Sequence, residues 1–266
     1  GLVAGHYSFA EAHIDFAPLT RFANARFLRD SVVGIDPDSR TISLKHRPPI
    51  SYDLLSINSG STPSTDIVKG ADEFVIPVKP ISEFLAHWQN LRERLAARTG
   101  STTISVVGGG AGSVELILAI QHALIESEKS AEQPIRYELL TADDDILTTH
   151  LPAVARRFRR ILGTRGIQIH TGARIAEVRK GLLIANASRE YRSDEILWVT
   201  HAGAPKWLAE SGLTVDEKGF LLIDDQLRST SHSTIFGAGD VATMKNYPRP
   251  KAGVFAVRQG RPLVRN

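Results

Sequence analysis

The clearest chemical signal in the sequence is a glycine-rich turn between a predicted strand and a predicted helix. Residues 104–107 form an apolar run, the turn holds Gly108 and Gly110, and a helical pattern covers residues 113–126. Gly108 permits a tight turn, and Gly110, which lacks a Cβ, lets a pyrophosphate approach the backbone. The free N–H groups at the helix start would bind that anion. This context predicts dinucleotide binding, with Ser113 at the third fingerprint glycine, although glycine turns also occur in other α/β proteins.

The end of the next predicted strand bears on which dinucleotide would bind. In such a fold an acidic residue there accepts hydrogen bonds from the ribose hydroxyls. The position is Thr141, followed by Asp143, Asp144 and Asp145. Thr141 can make only a weaker contact, and no arginine stands there to bind the 2′-phosphate of NADP. The choice between NAD and NADP stays open, with the acidic loop favouring NAD.

A second predicted strand also runs into glycine and a carboxylate, within residues 234–242. Asp240 could bond a sugar or ribitol hydroxyl while Gly239 lets the backbone approach. On this motif alone, a structural alternative, in which Asp240 caps a helix, fits better. Residues 53–63 and 194–205 share one pattern of acidic residue, apolar strand, small residues, glycine and proline. This weak repeat suggests two related nucleotide-binding halves.

Composition restricts the remaining chemistry. A chain of 266 residues is long enough for about two domains. The absence of cysteine excludes from this chain thiolate nucleophiles, disulfides and cysteine-ligated metal sites. The nine histidines show no metal-ligand spacing, and the arginine run at residues 156–165 lacks interleaved aromatics. With a net charge of +3 and no apolar run near the roughly 20 residues of a membrane span, neither a nucleic-acid partner nor a transmembrane segment is predicted.

The predicted elements alternate as in an α/β protein. Apolar residues at helical spacing predict an amphipathic helix over residues 81–95, before the glycine turn. A strand at 135–140 and a helix at 152–162 follow it. Further strands are predicted at residues 54–57, 167–171, 175–179, 182–184, 196–199 and 220–223.

Taken in order, the motifs resemble those of the pyridine nucleotide–disulfide oxidoreductase superfamily, which includes the type II NADH dehydrogenases. Residues 55–63 resemble its Ala-Thr-Gly turn, and residues 107–115 its central NAD fingerprint. Residues 234–240 resemble its second FAD motif, and residues 250–259 the segment beside the isoalloxazine ring. A narrower resemblance is to the NADH dehydrogenase-like flavoproteins fused to, or encoded near, bacterial selenophosphate synthetase. It lies in residues 1–7, 198–200 and 227–232.

The resemblance implies roles for individual residues. Asp240 would hold the ribitol of FAD, and Gln259 would lie near the flavin ring. Glu115 would face the nicotinamide, although a structural role as partner of a backbone N–H is an equal alternative. Glu115 and Gln259 are the predicted catalytic residues. No metal site is predicted. The predicted cofactor-binding residues are Gly108, Gly110, Ser113, Thr141, Ser59, Gly60, Gly239 and Asp240.

The resemblance also implies a fold and a domain division. We expect two Rossmann-like dinucleotide-binding domains, the FAD/NAD(P)-binding fold. Residues 1–79 and 206–266 would form the FAD-type domain, and residues 80–205 the NAD(P)-binding domain. The family begins with a βαβ unit and glycine motif that are absent before Gly108. The FAD domain is therefore expected to be incomplete and the chain truncated at both ends.

The implied activity is hydride transfer from NAD(P)H to FAD and on to a quinone or another small electron acceptor. An alternative is a non-catalytic nucleotide-binding module that regulates or contacts a partner such as selenophosphate synthetase. The unusual residues Ser113, Thr141 and His201 motivate it. A dehydrogenase without flavin would leave residues 234–240 unexplained. A homodimer is a further expectation, as is a cytoplasmic location or one peripheral to the inner face of the membrane.

Overall fold

The computed structural model describes residues 1–63, 68–98, 100–129, 134–200 and 202–266, so His201 lies outside the described residues. Helices α1 to α8 are Phe9–Ala12, Phe16–Phe22, Ala71–Phe74, Ile81–Ala96, Ala111–Lys129, Pro152–Thr164, Lys206–Glu210 and Gly253–Arg265. Strands β1 to β17 are Val32–Asp36, Thr41–Leu44, Ile50–Ser51, Leu55–Ile57, Thr62–Pro63, Ile76–Pro77, Thr102–Val107, Ile135–Leu140, Gln168–His170, Ile175–Arg179, Leu182–Ala185, Glu190–Arg192, Glu195–Trp198, Ala202–Gly203, Leu221–Ile223, Ile235–Gly237 and Ala242–Met244. Short 3₁₀ turns lie at Asn186–Ser188 and Gly239–Val241.

The chain divides into two compact units, each built from two segments. The first unit comprises Gly1–Asp15 and Pro63–His201, and the second comprises Phe16–Thr62 and Ala202–Asn266. The predicted boundary between residues 79 and 80 differs from this division. The difference arises because β6 pairs in parallel with β13 and so belongs to the sheet of the first unit.

The first unit is built on a five-stranded parallel sheet in the order β6-β13-β7-β8-β9. Successive residues of a strand face opposite sides. Val106 and Leu139 accordingly pack with the helical core around Leu91 and Ile117. Val107 and Leu140, with others, pack instead with the antiparallel sheet β10-β11-β12. Both faces are thus covered, as an all-parallel sheet requires.

The predicted helices and strands of this unit are confirmed. The pattern over residues 81–95 is helix α4, whose Phe84 and Leu91 are at most 1% exposed. The helix predicted at 113–126 is α5, and that at 152–162 is α6. Local apolar spacing was sufficient here because each helix has one face on the sheet.

Three small sheets lie entirely within the second unit: β1-β2-β3, β15-β17 and β16-β4. The first is antiparallel, and the other two pairs are parallel. Its core contains Ile57, Leu221, Ile223 and Ile235, each at most 5% exposed. Strand β4 therefore lies beside β16 although about 180 residues separate them, which brings two predicted motifs together.

None of the helices in the described ranges is long and apolar enough to cross a membrane.

Candidate functional sites

The predicted phosphate turn lies at the carboxyl end of the central strand of the first unit. The N–H of Gly108 donates to Leu140 O at 2.7 Å, and the N–H of Val199 donates to Val107 O at 2.9 Å. Gly108 has a φ of +138°, and a Cβ there would lie 2.8 Å from Val199 O and 2.6 Å from Oγ of Ser113. Both the backbone angle and the close packing therefore require glycine at this position.

Ser113 stands at the position of the third fingerprint glycine, and its side chain packs against Gly108. Its side chain is 1% exposed, and within the described structure its buried Oγ has no hydrogen-bond partner. Gly110, by contrast, faces open space, since a Cβ there would meet nothing within 4 Å. Ser113 N–H and Val114 N–H donate to Gly110 O. The N–H groups of Ala111 and Gly112 are therefore the ones at the start of α5 without an intrahelical acceptor. Together these features form an open cradle with donors suited to an anion.

Thr141, the residue at the predicted ribose position, is buried against the glycine turn, and its contact with a ribose stays a prediction. Its side chain is 2% exposed, and a Cβ on Gly109 would collide with its hydroxyl. That hydroxyl accepts from the N–H of Asp143 at 3.2 Å. Thr141 thus packs against Gly109 of the glycine turn. The carboxylates of Asp143 and Asp144, which follow it in the sequence, are exposed.

Glu115 lines a cleft beside the same turn, together with His150, Val154 and Phe158. No described residue hydrogen-bonds its carboxylate, which is exposed. The alternative role of Glu115, as partner of a backbone N–H, has therefore no counterpart in the described contacts. Its predicted role toward the nicotinamide stays a prediction.

The second motif lies at the carboxyl ends of the paired strands β4 and β16. The N–H of Ala238 donates to Ile57 O at 3.0 Å, and Ser61 Oγ donates to Asp240 Oδ2 at 3.4 Å. Gly239 has a φ of +75°, and a Cβ there would lie 2.6 Å from Oδ1 of Asn58. The structural alternative for Asp240 is wrong, because Ala238 is the cap of the 3₁₀ turn and Asp240 lies within it.

Gln259 holds this turn through its side chain. Its Oε1 accepts from the N–H of Gly239 at 2.7 Å, which ties helix α8 to the turn. Of the predicted pair Ser59 and Gly60, Ser59 is exposed and Gly60 provides a left-handed turn with φ +73°. Asn58 and Ser61 are the residues of that loop nearest the motif. The sequence does not single them out, since only the pairing of β4 with β16 brings them beside the motif.

Lys251 is a residue that the sequence analysis did not single out. Its Nζ donates to Ala242 O at 2.6 Å and to Thr243 Oγ1 at 2.9 Å, and lies 3.9 Å from the centre of the Phe220 ring. Burial lowers the pKa of Lys251 to about 8, while the nearby carboxylates of Asp216 and Asp240 partly oppose this shift. No sequence signal predicts this burial, because the covering residues come from separate strands.

One cleft of the second unit brings these groups together. Gly239, Asp240, Lys251 and Gln259 all line it. Across the described ranges no cluster of three or more histidine or acidic side chains could hold a metal ion. The cleft thus contains the carboxylate of Asp240, the half-buried amine of Lys251 and the backbone of Gly239.

Comparisons with known proteins found a family model, sequence relatives and structural neighbours. The family model described as "Pyridine nucleotide-disulphide oxidoreductase" matches residues 9–260. A probable NADH dehydrogenase of Dictyostelium discoideum is 24% identical over 250 residues, covering 84% of this chain and 54% of the relative. The type II NADH:quinone oxidoreductase of Haemophilus influenzae is 27% identical over 154 residues, covering 53% of this chain and 33% of the relative.

Among solved structures, the water-forming NADH oxidase of Lactobacillus brevis has a similar fold. Its TM-score is 0.78 at 22% identity, with 99% of this chain and 58% of that one covered. The chain thus spans about half the length of the first relative and of this structural neighbour.

Proposed function

Because the chain belongs to the pyridine nucleotide-disulphide oxidoreductase family, we propose that it passes electrons from NADH through FAD to a small acceptor. Its α/β fold is the FAD/NAD(P)-binding fold of two Rossmann-like domains. The observation that carries the proposal is the pair of glycine-shaped sites, each at the carboxyl end of parallel strands. Such ends are where α/β sheets bind their ligands.

The turn at Gly108 suits the pyrophosphate of NADH. The open backbone at Gly110 and the start of α5 would hold the phosphates. The hydroxyl of Ser113, which has no hydrogen-bond partner among the described residues, packs against this turn. Asp143 and Asp144 give the adjoining surface negative charge, which favours a ribose hydroxyl over a 2′-phosphate and so NADH over NADPH. Thr141 would act by supporting Gly109, and Glu115 would face the nicotinamide.

The second site suits the ribitol of FAD. Asp240 would bind a ribitol hydroxyl beside Gly239. The backbone of Gly239 is closely packed, and Gln259 accepts a hydrogen bond from its N–H. Ser59 and Gly60 would lie in the loop on the FAD side. When bound, FAD supplies the chemistry, accepting a hydride from NADH and releasing electrons singly or in pairs. The protein residues contribute binding, orientation and charge.

A quinone is the proposed acceptor, supported by the similarity to the type II NADH:quinone oxidoreductase of Haemophilus influenzae. A contact with selenophosphate synthetase, a homodimer and association with a membrane surface stay predictions from the sequence resemblance.

The visible absorbance of the purified chain tests the proposal, first with added FAD and then with NADH under anaerobic conditions. We expect a flavin spectrum that NADH bleaches and a quinone restores. Two variants locate the sites. Asp240→Ala should lower flavin binding, whereas Gly110→Ala should keep the flavin spectrum and lose the bleaching because its methyl group blocks the phosphate.

Two results would contradict this function. A chain that binds NADH but no flavin would support the nucleotide-sensing alternative, in which ligand binding serves regulation. A chain that binds neither, while circular dichroism shows it to be folded, would show that these sites are not sufficient for cofactor binding.

A further inference from the structure

Lys251 is held in an unusual position for a lysine. It directly precedes Ala252, the cap of helix α8, and its Nζ is fixed by Ala242 O and Thr243 Oγ1. The side chain packs on the ring of Phe220, which is 2% exposed. Lysine ammonium groups usually remain in water, so a half-buried one beside a site needs an explanation.

A chain of hydrogen bonds connects this amine to a surface turn. Lys251 Nζ donates to Thr243 Oγ1 at 2.9 Å, and Thr243 Oγ1 donates to Asp216 Oδ2 at 2.7 Å. The other oxygen of Asp216 accepts from the N–H groups of Lys218 and Phe220 at 2.9 Å each, which fixes the carboxylate. Asp216 is partly exposed. The hydroxyl of Thr243 thus accepts from one titratable group and donates to another. When Lys251 is neutral and Asp216 has taken a proton from solvent, the same hydroxyl can turn, accept from Asp216 and donate to Nζ.

We propose that Lys251 holds, at Nζ, the proton that the acceptor takes up, and that Thr243 and Asp216 return a proton to it from solvent. This inference rests on the proposed function. It assigns Lys251 a role that binding of FAD alone does not require. The supporting geometry is that Lys251 lines the same cleft as Asp240 and Gln259.

The proton balance shows why such a group is needed. NADH, a quinone and one proton give NAD⁺ and a quinol, so each turnover takes one proton from solvent. In the proposed step an N–H bond of Lys251 breaks, and its electron pair stays on Nζ. An O–H bond forms on the quinone oxygen, while both electrons come from NADH. The neutral amine then regains a proton through Thr243.

The surrounding charges suit this task at neutral pH. Burial lowers the pKa of Lys251 to about 8, with Lys218 acting in the same direction and Asp216 and Asp240 opposing it. Arg249 also lines the cleft. An acid is most effective when its pKa lies near the working pH. Lys251 is therefore charged at pH 7 yet loses its proton far more readily than an exposed lysine.

The first test uses the chain without ligand. Lysines are converted to ¹³C-dimethyl-lysines and titrated by NMR, and the Lys251 signal is assigned as the one missing from Lys251→Arg. We expect this signal to titrate near pH 8, well below the ordinary range of a lysine. A midpoint in the ordinary lysine range would overturn the proposal, because burial would then leave Lys251 unaffected.

The second test uses the chain loaded with FAD, NADH and menadione as the quinone probe. Stopped-flow absorbance separates bleaching by NADH from recovery with menadione. We expect Lys251→Met to slow recovery by about 100-fold, in the range of general acid catalysis, and to slow bleaching by NADH far less. The recovery rate of the unmodified chain should fall above about pH 8, and this fall should disappear in the variant. Lys245→Met is the matched control and should change neither phase.

The relay is tested with a conservative pair. Thr243→Val removes the hydroxyl that connects Lys251 with Asp216 and should slow recovery, whereas Thr243→Ser should restore it. If Lys251 had only a structural role, its replacement would change stability and leave the pH profile of the recovery rate unaltered. A flavin that bleaches but recovers at a pH-independent rate would overturn the role of Lys251 alone. A flavin that never bleaches would contradict the proposed function, and with it this role.

Discussion

At the scale of single residues, the fold requires glycine at position 108 but not at position 110 of the same turn. Gly108 has positive φ and is packed against Val199 O, whereas Gly110 borders open space. We expect Gly108→Ala to lower the free energy of unfolding by about 1–3 kcal/mol through backbone strain and the close contact. Gly110→Ala should change it by less than about 1 kcal/mol, and even raise it, because alanine restricts the unfolded chain. Urea denaturation measures both values.

The same two variants separate stability from binding. The methyl group of Gly110→Ala should occupy the space through which a pyrophosphate approaches, so NADH affinity falls while the fold persists. Fluorescence titration with NADH measures this affinity. An unchanged affinity in a stable Gly110→Ala variant would exclude the turn as the phosphate site, whatever happens in Gly108→Ala.

At the scale of elements, the side chain of Gln259 ties helix α8 to the 3₁₀ turn at Gly239–Val241. Gln259 Oε1 accepts the N–H of Gly239 at 2.7 Å, and both groups are partly buried. Gln259→Leu leaves that N–H without its acceptor and should lower the free energy of unfolding by about 1 kcal/mol. The same substitution at the exposed neighbour, Arg258→Leu, should change it by less than about 0.5 kcal/mol. Equal effects in urea denaturation would assign the loss to general changes in the helix.

The elements also show what the sequence could predict. Helices α4, α5 and α6 follow from apolar spacing because one face of each packs on the sheet. The two-residue strand Ile76–Pro77 has no such pattern, and only its pairing with β13 reveals it. The carboxyl-end motifs were predictable because glycine and aspartate carry local constraints. The burial of Lys251 was not, since its contacts with Phe220 and Thr243 depend on the fold and follow no local spacing pattern.

At the scale of the whole molecule, each candidate ligand should protect different segments of the chain. The NADH site draws on residues of the first unit, and the FAD site on residues of the second. Hydrogen exchange followed by mass spectrometry should therefore show NADH protecting peptides around residues 108–115 and 140–150. FAD should protect peptides around residues 57–62 and 237–260. At a ligand concentration of about 100 times Kd, binding adds about 2.7 kcal/mol to stability, which is enough to slow exchange clearly.

This pattern decides among the three functions that the sequence left open. Protection of both sets of peptides is expected of a flavin oxidoreductase, because the hydride donor and the flavin occupy separate sites. Protection by NADH alone fits a nucleotide sensor or a dehydrogenase without flavin, and turnover of NADH with an added substrate then separates those two. Asp240→Ala provides the control, since it should abolish the protection by FAD and leave that by NADH intact. If NADH instead protected residues 237–260 in this variant, the assignment of one ligand to each glycine-shaped site would be wrong.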